Sequence, residues 1–217
     1  SGEIMLNQIE LKDEIIINAL KNINFDGWSK NSILTGFNSQ NKDEEMYSEL
    51  FPNGIIDTII HFADIADRQM VKKYLEEDFK NQRIPEKIKK LLMARFEFLN
   101  PYKEAVRRSV AILALPNNSK IAIKSLYNTT DKIWGAAGDQ STDISFYTKR
   151  ASLAGVYSST FMSWLGSTDP DLQKVDEFID RRLANINFIG KITKPFKENL
   201  NFTFDQLNKF PFFNFNR

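Results

Sequence analysis

The sequence predicts an all-α protein, a bundle of about nine to ten helices. Three observations carry that prediction. Apolar residues recur every three or four positions along nearly the whole chain. Gly, Pro and Asp-Gly breaks fall at helix-length intervals. Strand-like alternation is missing except briefly at Asn201 to Phe204.

The elements follow in order. Ile15, Ile16, Ala19, Leu20 and Ile23 line one face of a first helix, which Asp26-Gly27 stops. Ser29 is placed to cap a short second helix carrying Ile33 and Leu34. A third short helix runs through Met46, Leu50 and Phe51 to Pro52. After Gly54 a long helix carries Ile55, Ile59, Ala63 and Ala66 and is expected to reach about Phe79. Pro85 suits the first turn of the next helix, which ends before Pro101. Another reaches Leu115 and stops at Pro116. The following one spans about Ser119 to Ala136, with Gly138 as a left-handed cap. A long helix covers Ile144 to Leu165, and Gly166 closes it. Asp169-Pro170-Asp171 opens a last helix, which Gly190 and Pro195 are expected to interrupt.

Three short helices before a long one, then a bundle, is the arrangement of TetR-like repressors. It divides the chain into a helix-turn-helix-like unit at residues 1–52, a helical bundle at 53–186 and a tail at 187–217. A DNA-reading helix in such a unit would lie near Lys42 to Leu50. There Lys42 stands against Asp43, Glu44, Glu45 and Glu49, a net charge of −3. Phosphate binding needs the opposite sign, so the unit reads as vestigial and no nucleic-acid partner is expected. A TetR-like regulator with a lipid or quinone effector is the alternative.

Composition excludes more. The 29 basic and 28 acidic residues nearly cancel, which argues against a generally basic nucleic-acid binder. Cysteine is absent and His61 is the sole histidine, so thiolate and histidine-rich metal sites are out. Carboxylate-x-x-His pairs and glycine-rich phosphate loops are missing too. No catalytic residue, metal or cofactor is expected.

The most informative stretch, residues 131–183, reads DKIWGAAGDQSTDISFYTKRASLAGVYSSTFMSWLGSTDPDLQKVDEFIDRRL. Trp134, then Ala137-Gly138-Asp139, Ser141-Thr142-Asp143 and Tyr147-Thr148-Lys149-Arg150 resemble the pattern of the Coq-nine family of ubiquinone-biosynthesis proteins. Phe178, Arg181 and Arg182 fit its later acidic, aromatic helix. Phe146 stands where the family commonly has Trp, and Lys132 where it commonly has an acid. The resemblance implies a TetR-like homodimer with a lipid cavity and a membrane-docking terminal helix. Its ligand would be an isoprenoid quinone intermediate or phospholipid, and its partner the di-iron demethoxyubiquinone hydroxylase.

By the same resemblance Trp134, Asp139, Asp143, Phe146, Tyr147 and Arg150 are the expected partner contacts. Exposed aromatics beside Arg are common interface anchors. Spacing alone also permits a tight helix corner, with Ser141 or Asp143 as cap and Tyr147 packed inside. Phe96, Leu99, Leu113, Val156, Tyr157 and Phe161 become the expected lipid contacts, although their periodicity alone gives plain core. In the tail, Phe196, Leu200, Phe204 and Leu207 form one apolar face, and Lys197 lies among them. That pattern reads as an interfacial membrane anchor or a helix folded onto a dimer mate. Asn-, Ile- and Lys-rich usage, with no visible presequence, points to bacterial cytoplasm, peripheral on the inner membrane. The mitochondrial matrix face is the alternative.

Overall fold

The computed structural model describes the backbone of residues 2–77, 81–140, 144–168 and 171–197, and side chains over 6–77, 81–140, 146–168 and 171–185. These residues form nine α-helices: α1 (Gly2–Asp26), α2 (Lys30–Ser39), α3 (Met46–Leu50), α4 (Ile55–Leu75), α5 (Ile84–Leu99), α6 (Lys103–Leu113), α7 (Ser119–Ala136), α8 (Ile144–Gly166) and α9 (Gln173–Lys197). Short 3-10 turns at Asn100–Tyr102 and Pro116–Asn118 begin at or just before the prolines that break the helical pattern.

The N-terminal unit is built by close packing. Ser29 caps α2, its hydroxyl accepting from the Ser32 amide at 3.1 Å. The α1 stripe of Ile15, Ile16, Ala19, Leu20 and Ile23 is fully buried. Gly36 lets α2 lie directly on α1: a Cβ there would meet the Ile15 carbonyl oxygen at 2.0 Å. The Trp28 indole donates to the Ala105 carbonyl at 2.8 Å, and the Ala105 amide donates to Asn24 at 3.0 Å. Those two bonds fasten α1 and the α1–α2 corner to α6.

One continuous apolar core runs from α1 to α9. Gly138 adopts φ +89° just beyond α7, the left-handed cap that ends a helix without a Cβ penalty. Two expectations need correction. Helix α4 ends at Leu75 rather than near Phe79. Glu76 and Glu77 follow it directly, and negative charge is unfavourable at a helix C-terminus. Helix α9 continues to Lys197 through Gly190 and Pro195. One glycine costs a helix only about 1 kcal/mol, and Pro195 lies in the last turn, where little helix remains to be lost.

Helix α3 has only five residues, and Asp43 to Glu45 before it form a turn in which the Asp43 carboxylate accepts from the Glu45 amide. Asp43, Glu44, Glu45 and Glu49 are all exposed. A surface of that sign repels phosphate.

Gly36→Ala gives a test whose sign decides. Helix propensity alone would stabilise the protein by about 1 kcal/mol. The collision with the Ile15 carbonyl instead predicts a loss of about 1–3 kcal/mol, measured by urea unfolding.

Candidate functional site

Helices α4 to α8 surround an apolar cavity of about 230 Å³. Each contributes through its helical repeat. Ile59 and Ala63 lie one turn apart on α4, and Arg95 and Leu99 one turn apart on α5. Val106, Val110 and Leu113 come from α6, and Leu126 and Thr129 from α7. Tyr157, Phe161 and Met162 come from α8, and Met162 is 59% exposed, so it marks the outer end.

The inner end is charged. Arg95 donates from Nε to Asp67 at 2.9 Å, with both side chains about 5% exposed or less. The Thr129 hydroxyl lies 3.0 and 3.1 Å from the two Asp67 oxygens. The Arg95 guanidinium sits over the Tyr157 ring, 5.2 Å from its centroid. Burial pushes the Tyr157 phenol up to about 12, so it keeps its proton at neutral pH.

The pair continues outward as alternating charges. Lys132 lies 3.6 Å from Asp67 and 2.5 Å from Asp64. Arg68 bonds Asp64 at 2.8 Å and grips Asp13 of α1 at 2.6 and 2.7 Å. His61 meets Asp13 at 2.7 Å, and burial, only partly offset by Asp13, holds its pKa below the ordinary value. A second cavity of about 390 Å³ adjoins the first, sharing Ala63 and Ser125, and is lined by Asp67 and Lys132.

Of the expected lipid contacts, Leu99, Leu113, Tyr157 and Phe161 line the apolar cavity. Phe96 and Val156 do not. Phe96 packs behind it, its ring 5.4 Å from Trp164 and 6.1 Å from Tyr157, and Val156 is buried in the core. Asp67, Arg95 and Thr129 were missed. For the two charged residues the signal was a charge inside an apolar stripe: Arg95 falls between Leu92 and Phe96 on the buried face of α5.

The stretch around Gly138 forms a joint. Arg150, expected on the surface, is buried. Its Nε donates to Asp131 at 2.8 Å and its Nη1 to Asp139 at 3.2 Å. Its guanidinium also lies 3.3 Å from the centroid of the Phe146 ring. A guanidinium so placed is spent on binding the end of α7 to the start of α8. Lys149 reaches the nearly buried Asp139 carboxylate at 2.7 Å and lies over the Trp134 ring. Trp134 is half-buried, and its enclosed indole N–H has no hydrogen-bond partner among the described residues. Phe146 and Tyr147 are half-buried with their rings edge to face. Asp143 lies outside the described residues, as do Leu200, Phe204 and Leu207. Phe196 and Lys197 fall within the last turn of α9, where only backbone is described.

Residues 120–190, which contain nearly all of α7, all of α8 and most of α9, match the COQ9 family model. The chain is 30% identical over 193 residues to the ubiquinone biosynthesis protein COQ9, mitochondrial, of Xenopus tropicalis, covering 85% of this chain. The chain is thus similar to COQ9 proteins over most of its own length. It is also 28% identical over 196 residues to the human COQ9 protein, covering 87% of this chain. It spans about 60% of the length of the Xenopus protein and 61% of the human one. A TetR transcriptional regulator from Nitrosomonas europaea shares the fold, with a TM-score of 0.66 at 17% identity over 82% of this chain and 99% of that one. The fold is TetR-like, as the helix order predicts. COQ9-matching sequence thus supplies both the joint and the α7 and α8 sides of the cavity.

Arg150→Met tests the joint. It leaves Asp139 with Lys149 as its remaining named cation. Urea unfolding should show a loss of about 3 kcal/mol, near the lower end for breaking a buried pair. A loss below about 1 kcal/mol would mark a surface-type pair instead.

Proposed function

We propose that this chain is a non-enzymatic, lipid-binding accessory protein of ubiquinone biosynthesis. The observation that carries the reading is the cavity: two of its five helices come from the stretch that matches COQ9, and its walls are apolar down to one charged end. The relatives supply the pathway through their names. Isoprenoid quinone precursors combine a long apolar chain with a compact oxygen-bearing ring, and the cavity offers both kinds of surface.

The groups facing the cavity favour binding over catalysis. Tyr157 holds its proton, and Arg95 and Thr129 are both bonded to Asp67, which does not itself line the cavity. None of them is a free base or nucleophile aimed at a ligand. At about 230 Å³ the cavity lies below the 300–1,000 Å³ usual for whole drug-sized ligands. It therefore accommodates a ring or a short length of chain, and the rest of a long prenyl tail lies beyond Met162.

In this reading the basic, Phe-rich tail after residue 187 rests on the membrane, and a homodimer presents the precursor to the demethoxyubiquinone hydroxylase. Burial of Arg150 shifts the expected docking contacts toward Phe146, Tyr147 and the edge of Trp134. The relatives' names carry the word mitochondrial, which favours the matrix face of the inner membrane over a bacterial cytoplasm.

Organic-solvent extraction of the purified protein, followed by mass spectrometry, tests the carrier role. A co-purifying isoprenoid quinone or other long-chain lipid is expected. Protein free of any apolar-chain lipid, even after incubation with quinone-loaded vesicles, would overturn it.

A further inference from the structure

We propose that the ligand enters the cavity head first and that Arg95 selects a neutral, carbonyl-type oxygen at the inner end. This rests on the reading above, that the cavity takes an amphiphile. Arg95 is 4% exposed and lines the cavity. A guanidinium carries five N–H donors. Only Nε is hydrogen-bonded among the described residues, to Asp67. The Nη1 and Nη2 groups have donors left and a cavity in front of them. Buried donors of this kind require acceptors. Stacking on Tyr157 and the Nε bond to Asp67 fix the plane of the fork, so its direction is set before any ligand arrives.

Charge balance decides the class of acceptor. Arg95, Lys132 and Arg68 alternate with Asp67, Asp64 and Asp13 in one connected chain. Three cations meet three anions, and His61 is biased toward its neutral form. Within that network, among the described residues, no cation is in surplus to compensate a buried carboxylate or phosphate, whose isolated charge is costly at such a site. A neutral carbonyl accepts the same hydrogen bonds without that cost. Orientation follows from the walls. Arg95 and Tyr157 are buried at one end, while Met162 is exposed at the other. The oxygen-bearing ring lies inward, and the chain runs out past Val110, Leu113 and Phe161.

Three probes with the same butyl chain on a six-membered ring separate the possibilities: butylbenzene, butyl-benzoquinone and 4-butylbenzoate, titrated by calorimetry into the whole chain. The quinone is expected to bind about tenfold tighter than butylbenzene, the worth of one good bond from a charged donor, with the benzoate no tighter than butylbenzene. Arg95→Met combined with Asp67→Asn leaves no unpaired charge and protects the fold. It should erase the quinone preference, read as the ratio of quinone to butylbenzene affinity in the same variant. Arg95→Lys, which keeps the charge but loses the fork, should retain only part of the preference. Equal binding of all three probes, or a preference surviving in the double variant, overturns Arg95 as the selector. Tighter binding of the benzoate overturns the neutral class. If butylbenzene and the quinone both fail to bind, the amphiphile cavity itself fails, and the head-first inference falls with it.

Discussion

Asp67 and Arg95 meet across the centre of the bundle, and the geometry around the cavity is organised by that contact. Desolvating two charges costs several kcal/mol per ion, and their attraction offsets it only when the remaining bonds are well made. Here Thr129 of α7 completes the carboxylate, and Tyr157 of α8 offers its ring to the guanidinium. Four helices are thereby held at one point with defined rotations. Apolar stripes tolerate sliding and repacking far better than a fixed hydrogen-bonded pair does. The cavity therefore has an inner end that is both rigid and polar.

From that point the charges run to the surface through Lys132, Asp64 and Arg68 to Asp13 on α1. The first helix of the N-terminal unit is thus tied electrostatically to the cavity, and its corner is tied mechanically through Trp28 and Asn24 to α6. The N-terminal unit thus braces the bundle, and Asp43, Glu44, Glu45 and Glu49 give it an acidic patch on the outer surface. Lys132, one of two departures from the family pattern, sits between Asp64 and Asp67 and completes the alternation. Phe146, the other, carries the Arg150 guanidinium on its ring. Both departures have local structural partners.

Much of the fold was legible because most helices bury one stripe and end at recognisable breakers. The capping of α2 by Ser29, the first-turn Pro85 and the left-handed Gly138 could each be read from a few neighbouring residues. The exposure of Arg150 could not, since it depends on how α8 turns against Asp131 and Asp139 on the preceding segment. The Asp67–Arg95 pair joins positions 28 residues apart on two helices. A charge within each apolar stripe was visible, but their meeting depends on helix rotation, which periodicity does not contain. The split among the expected lipid contacts has the same origin. Phe96 and Tyr157 share the core, and a small rotation decides which one faces the cavity.

Urea unfolding of Asp67→Asn, Arg95→Met and the double variant tests most directly whether this pair holds the bundle. Asp67→Asn leaves the buried Arg95 without its counter-charge and Arg95→Met leaves Asp67 with only Lys132 at 3.6 Å, so each single change should cost about 3–5 kcal/mol. The double variant should lose less than either single one, because nothing is left unpaired. Losses that simply add, or single losses below about 1 kcal/mol, would contradict the account and place the organising constraint elsewhere in the core.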